Sequence, residues 1–291
     1  MDLERDYGLT VSSLEPHPGG FATEGWVADK RWFVKRWKDG ERPVGLEQLA
    51  ELRALGLPVV EPLRTLRGEL SATNGSRAYA VFPYVQGRNA TFGDWRVAAQ
   101  AMRQVHEVPL RVDLPPANTD EPAIEDLGRV LDHPWIADRA DEVAAAIARL
   151  DSVRARVVGK KVRAVVCHTD FHGLNLLLDD AGEVAAILDW ENAVIGPREY
   201  DVWVAADGAR LVEFLDEYGA DDLDLDHVEF ALLARGLRDL AARVLSSVDR
   251  PGIETWGFDR IRRVDSNLEV YRGYCLAPAP GQASSSKSPT R

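Results

Sequence analysis

The chain has 291 residues, 45% of them hydrophobic, and a formal net charge of -12. That is long and apolar enough for two lobes with cores of their own, and so acidic a balance argues against nucleic acid, which is bound through clustered Lys and Arg. Two cysteines, Cys167 and Cys275, make no disulfide framework, no apolar run nears the roughly 20 residues that span a bilayer, and the opening Met-Asp-Leu-Glu-Arg-Asp lacks a signal-peptide charge pattern, so a soluble cytoplasmic protein with no membrane partner is expected.

In chain order, Pro18-Gly19-Gly20-Phe21 is a glycine turn ahead of a strand over Gly25 to Ala28. Arg31 to Trp37 alternates as a second strand, with Phe33 and Lys35 on one face and Val34 and Arg36 on the other. Val44 to Leu55 has helical apolar spacing at Leu46, Leu49, Leu52 and Leu55 and stops at Gly56-Leu57-Pro58. Ala78 to Phe82 reads as a strand running into Pro83-Tyr84-Val85-Gln86-Gly87. Helical spacing returns from Phe92 to Val108, and His106 on that helix reads as a packed core histidine. Residues 110 to 122, rich in Pro and Asp, read as a loop, and Ala137 to Val157 as a long amphipathic helix.

Arg163 to Cys167 is a short β-branched run, hence a strand, and the loop leaving it reads His168-Thr169-Asp170-Phe171-His172-Gly173-Leu174-Asn175. Leu174 to Leu178 alternates around Asn175, Asp179 to Gly182 is a turn, and Glu183 to Leu188 returns as a strand ending at Asp189. A hairpin of this kind lets Asn175 and Asp189 converge on one cation, and magnesium takes hard oxygen ligands without needing a full protein cage. Phosphoryl transfer from a nucleotide needs a carboxylate to orient and deprotonate a hydroxyl, and an amide and a carboxylate to hold magnesium; Asp170, Asn175 and Asp189 supply that set. The acidic run Asp216-Glu217, Asp221-Asp222, Asp224 and Asp226 reads mostly as a solvated loop. His227 to Ser247 and Trp256 to Tyr274 read as helices, and residues 277–291, poor in apolar side chains, as a disordered tail.

The string H-x-D-x-x-x-x-N, followed by an apolar strand and Asp189-Trp190-Glu191, resembles the catalytic loop and magnesium segment of the aminoglycoside phosphotransferase and choline kinase family, small-molecule relatives of protein kinases. Thr169 departs from the glycine common at its position, and Gly196-Pro197 through Asp201 matches a further family segment. The resemblance implies an α+β, two-lobed protein-kinase-like fold: a small β-rich nucleotide-binding lobe with one helix over 1–83, a hinge at 84–88, and a larger, mainly helical lobe over 89–276. It makes Asp170 the catalytic base, Asn175 and Asp189 the Mg2+ ligands, and His168 a buttress of the loop. Asp201 is expected to accept hydrogen bonds from that loop's amides. Lys35 corresponds to the lysine pairing the α- and β-phosphates of ATP or GTP, with a glutamate of the following helix as its partner. Glu47 and Glu51 both qualify, Glu47 being preferred. Gly20 would belong to the phosphate-covering hairpin, Phe82 would line the base pocket, and the Pro83 carbonyl and Val85 amide would bond an adenine.

The expected reaction is transfer of a γ-phosphate to a hydroxyl of a small, cationic molecule, first an aminoglycoside-type antibiotic and otherwise choline, an amino sugar or another small alcohol. A metallohydrolase built on His168, Asp170 and His172, and a kinase-shaped binding protein without catalysis, are the main rivals; a Cys167 nucleophile beside His168 is set aside because neighbours on a strand point to opposite faces. The first leaves Lys35 and Asn175 without roles, and the second must explain why Lys35, Asp170, Asn175 and Asp189 are all intact.

Overall fold

The computed structural model describes residues 1–17, 23–38, 43, 45–207, 210–220, 222–245 and 253–276. Gly20, expected in a phosphate-covering turn, and the tail 277–291 lie outside the described residues. The elements in chain order are α1 (Leu3–Tyr7), β1 (Leu14–His17), β2 (Thr23–Ala28), β3 (Trp32–Trp37), α2 (Leu46–Ala54), β4 (Ala72–Asn74), β5 (Arg77–Pro83), β6 (Arg88–Asn89) and α3 (Trp95–Glu107). They continue with α4 (Pro122–Gly128), α5 (Ala140–Val157), β7 (Ala164–Cys167), β8 (Leu176–Leu178), β9 (Val184–Ile187), β10 (Val194–Pro197), α6 (Glu199–Val202), α7 (Leu211–Tyr218), α8 (Leu225–Leu245) and α9 (Ile253–Leu276).

Two compact units result, one of Met1–Asn118 with Arg163–Asp201, the other of Thr119–Val162 with Val202–Arg291. Residues 84–88 belong to the first unit. Among the described residues no helix is long and apolar enough to cross a membrane.

The first unit is organised by an antiparallel sheet in the order β1-β2-β3-β5-β4. Alternation along β3 sends Val34 into a cluster with Ala28, Tyr79 and Val81, which α1 covers with Leu3 and Tyr7. Lys35 faces the other way, between Gly25 and Ala80 in register, and Phe33 on the same face stands opposite Phe82. The three-residue β2–β3 connection puts Asp29 and Lys30 at φ 50° and 54° and closes with the Arg31 amide on the Ala28 carbonyl at 2.9 Å, two positive φ values that match the twist of the flanking strands. The amides of Ser12 and Ser13 hold the Asp29 carboxylate there at 2.9 and 2.7 Å.

Helix α2 buries Leu46, Leu49 and Leu52, each contributing about 1.5–3 kcal/mol by leaving water. A second small sheet, β6-β8-β9, and the pair β10-β7 frame the chain around residue 170. Two glycines are required by close approach: a Cβ at Gly87 would stand 2.6 Å from the Leu178 carbonyl oxygen, and one at Gly173 would stand 2.5 Å from that of Ala90.

In the second unit α8 packs against α4, α5 and α9. Gly236 and Gly257 let α8 and α9 meet backbone to backbone, since a Cβ on either would come within 3.0 Å of the other's carbonyl oxygen. The sequence reading needs correction in this unit. Pro122 is no loop residue but opens α4, as proline at a first helical position can. Asp216 and Glu217 lie on α7. Asp224 and Asp226 are held by Lys160 at 2.5 and 2.9 Å, and Asp226 also by Arg156 at 2.9 Å. Those carboxylates close the end of α5, a pairing between distant segments that local charge density does not reveal.

Candidate active site

Strand β7 delivers the chain to a loop whose backbone is fixed by one carboxylate. Asp201 Oδ2 accepts the His168 amide at 2.7 Å and Oδ1 accepts that of Thr169 at 2.5 Å, while His106 Nε2 approaches Oδ2 at 2.9 Å. Asp201 is fully buried, where charge-assisted hydrogen bonds are strongest and an unpaired carboxylate would be most costly. Asp201 thus accepts from two loop amides, and His106 is a buried histidine with a defined partner.

His168 buttresses the loop through its ring. Nε2 donates to the Leu188 carbonyl at 2.7 Å, Nδ1 accepts from the Asp170 amide at 3.3 Å, and Trp190 packs against the ring at 4.7 Å between centroids. With both nitrogens engaged, His168 offers nothing to a metal, which removes the first ligand of a metallohydrolase. Thr169 adopts φ 65°, a left-handed conformation costly for a β-branched residue and natural for glycine. Its hydroxyl donates to the Asn192 carbonyl at 3.0 Å. The departure at this position therefore sits at a backbone point with a real steric demand.

Asp170 and Asn175 come together across a single turn. Asn175 Nδ2 donates to the Asp170 carbonyl at 2.9 Å and approaches its carboxylate at 3.3 Å, while His172 Nε2 stands 3.3 Å from the same Oδ2. The Asn175 carbonyl accepts the Leu188 amide at 2.8 Å, which ties the residue before Asp189 to Asn175. Asp189 itself has φ 66°, a conformation that short polar side chains tolerate.

Lys35 completes the cluster from β3. Its Nζ lies 2.7 Å from Asp189 Oδ1 and 2.5 Å from Glu191 Oε1. Burial opposes the ammonium charge, but the two carboxylates outweigh it and hold the Lys35 pKa above its ordinary value. The Lys35–Glu47 pair expected from the sequence is not formed. Glu47 is exposed on α2, and Glu51 instead accepts the Asp113 amide at 3.0 Å. Glu191, a motif residue to which sequence reasoning gave no role, takes that place. Its proximity in sequence to Asp189 was the available signal, but two acidic residues on α2 looked nearer to β3.

Phe82 shares the Lys35 face of the sheet, Pro83 ends β5 opposite Trp32, and Tyr84 donates its amide to the Arg31 carbonyl at 2.8 Å. A second group, His106, Cys167 and Asp201, brings its ligand-type atoms within 4.8 Å of one another, but hydrogen bonding accounts for it. Burial pushes the Cys167 thiol up, and the thiol lies 3.2 Å from the Pro197 carbonyl oxygen. A thiol that keeps its proton is a poor metal ligand.

An antiparallel sheet carrying Lys35, the loop of Asp170 and Asn175 and the downstream Asp189 are arranged as in a kinase-type phosphotransferase, the class to which the sequence comparison assigns the chain. The sequence model of the phosphotransferase enzyme family (APH) matches residues 13–233, and the chain belongs to that family. Spectinomycin phosphotransferase APH(9)-Ia, solved with ADP and spectinomycin, superposes with a TM-score of 0.67 at 19% identity, covering 93% of this chain and 96% of that one. The choline kinase LicA from Streptococcus pneumoniae superposes at 0.65 with 15% identity, over 93% and 97% of the two chains. The GDP and kanamycin complex of APH(2")-IIIa superposes at 0.63 with 15% identity, over 94% and 97%. No curated protein matches the sequence significantly. At these identities the superpositions establish the two-lobed, protein-kinase-like fold.

Proposed function

We propose that the protein transfers the γ-phosphate of ATP or GTP to a hydroxyl of a small cationic molecule, first an aminoglycoside-type antibiotic, in the cytoplasm. The observation that supports this reading is a pair of contacts, Lys35 on Asp189 and Asn175 on Asp170, on segments joined by the Leu188 amide bonding the Asn175 backbone carbonyl. The donor set fits Mg2+ by its chemistry: the Asn175 amide nitrogen is committed to Asp170, leaving a hard amide oxygen, and the Asp189 carboxylate is partly exposed. When bound there, Mg2+ would screen the nucleotide phosphates.

In this mechanism Lys35 steadies the α- and β-phosphates. Asp170, oriented by Asn175 and by the His168 and Asp201 contacts behind it, directs the acceptor hydroxyl in line with the γ-phosphorus and takes its proton. The new bond joins the acceptor oxygen to phosphorus as the bond to the nucleoside diphosphate breaks, so no phosphorylated enzyme forms. Pro83 and Val85 would offer a carbonyl and an amide to the base, with Phe82 behind it. The boundaries proposed for the lobes are 83, the hinge 84–88 and 89.

The acidic balance of -12 favours a cationic acceptor. The likeness to APH(9)-Ia and APH(2")-IIIa supports an aminoglycoside or aminocyclitol, and the near-equal likeness to LicA supports choline or a related amine as the second reading. A coupled assay of nucleoside diphosphate release, run with aminoglycosides, spectinomycin, choline, ethanolamine and amino sugars, decides between them. Nucleotide binding without turnover of any acceptor would leave a non-catalytic binding protein.

A further inference from the structure

The lysine of β3 needs an anchor if it is to meet phosphates in a fixed position, because a four-carbon side chain otherwise samples many rotamers. On α2 neither candidate serves: Glu47 is exposed and Glu51 is bound to the Asp113 amide. Glu191 does serve. Its carboxylate meets Lys35 Nζ at 2.5 Å with only 21% of its side chain exposed, against 44% for Asp189. The Trp37 side chain also hydrogen-bonds it. Trp37 is buried and its ring stands 5.5 Å from the same Nζ.

The backbone of Glu191 is closed in from α2 as well. Gly45, at φ 72°, lets the start of that helix approach so closely that a Cβ there would stand 3.3 Å from the Trp190 carbonyl oxygen. Glu191 is thus braced by β3 and by the entry to α2, whereas Asp189 is more open to solvent.

Building on the phosphotransfer reading, we infer that Glu191 is the standing counter-ion that positions Lys35 for the nucleotide phosphates, in place of a glutamate on α2, and that Asp189 is the exchangeable partner. Lys35 would then keep one carboxylate when Asp189 turns to a metal-bound nucleotide. The two acidic residues flanking Trp190 divide the tasks of holding the lysine and of meeting the metal.

The test is Glu191→Gln, which keeps the shape and an acceptor for Trp37 but removes the charge. ADP affinity is measured by calorimetry in Mg2+, the condition in which the inference has Asp189 drawn off Lys35 so that Glu191 alone holds it, and KM and kcat for the nucleotide are measured separately. The expected result is about a tenfold weaker ADP affinity and a donor KM raised in proportion, with the acceptor KM unchanged and with faster acylation of Lys35 by an amine-reactive ester. Trp37→Phe, which deletes only the indole donor to Glu191, serves if Glu191→Gln fails to fold, and should raise the donor KM about threefold. Unchanged ADP affinity and Lys35 reactivity in the variant overturn the inference, as does a tenfold loss on Glu47→Gln instead. A wild-type protein that binds no nucleotide overturns the phosphotransfer reading and this inference with it.

Discussion

Asp201 accepts the amide of His168 at 2.7 Å across 33 residues of sequence, and in doing so fixes the start of the loop that carries Asp170. The same carboxylate takes the Thr169 amide and His106, so each of its oxygens has a partner inside a dry site. Replacing it by alanine strands two amides and an imidazole. Asp201→Ala should lower stability by about 3 kcal/mol or more, read from urea unfolding, and Asp201→Asn by less, because one acceptor remains. A loss under about 1 kcal/mol for the alanine variant would show that the loop holds itself.

Asp170→Ala should reduce phosphate transfer by about 10²- to 10⁴-fold, the range for removal of a general base. ADP affinity should change less than twofold, since in the proposed mechanism Asp170 touches the acceptor and not the nucleotide. Steady-state kinetics and calorimetry on the same preparation check both halves. A parallel loss of ADP binding would mean that Asp170 shapes the nucleotide site.

Thr169→Gly should remain within about 1 kcal/mol of the parent protein. Relief of a left-handed β-branched residue, about 1–2 kcal/mol, offsets the lost hydroxyl bond to Asn192 and the greater freedom of glycine in the unfolded chain. Thr169→Val keeps the strain and loses the bond, so it should be the less stable of the two by thermal unfolding. The reverse order would mean that glycine's freedom in the unfolded chain outweighs the relief of strain.

Asp6 should contribute to acid sensitivity. Its hydrogen bonds from Arg5 and Tyr79 lower its pKa from 3.8 to about 2, against a smaller opposing effect of burial. A carboxylate depressed in the folded state stabilises fully above the unfolded value and loses that contribution as pH falls through the folded one. Between pH about 4 and 2, then, Asp6→Asn should lose stability less steeply than the parent. Parallel acid limbs for the two proteins would count against this assignment.

Local chemistry made much of the site readable before any coordinates. The β-branched run before His168, the turn at 179–182 and the return toward Asp189 place β7 and β9, but the strand read over Leu174 to Leu178 is shorter: Gly173–Asn175 forms a 3-10 turn and β8 begins at Leu176, so Asn175 precedes the hairpin instead of lying on it. Alternation in β3 likewise assigned Lys35 and Phe33 to one face. What failed was the choice between carboxylates. Glu47 and Glu51 have helical positions that put either near a strand in principle, and only burial and the fit of α2 against residues 190–191 show that both look elsewhere.

Sequence alone determined which residue types reach the loop and in what order, because a strand, a turn and a hairpin are specified by neighbours within a few positions. Tertiary structure alone decided which charges meet. Lys35 and Glu191 are separated by 156 residues, and whether such a pair forms depends on the space left by packing and on the solvent excluded around it. Neither quantity is written in any short stretch of chain.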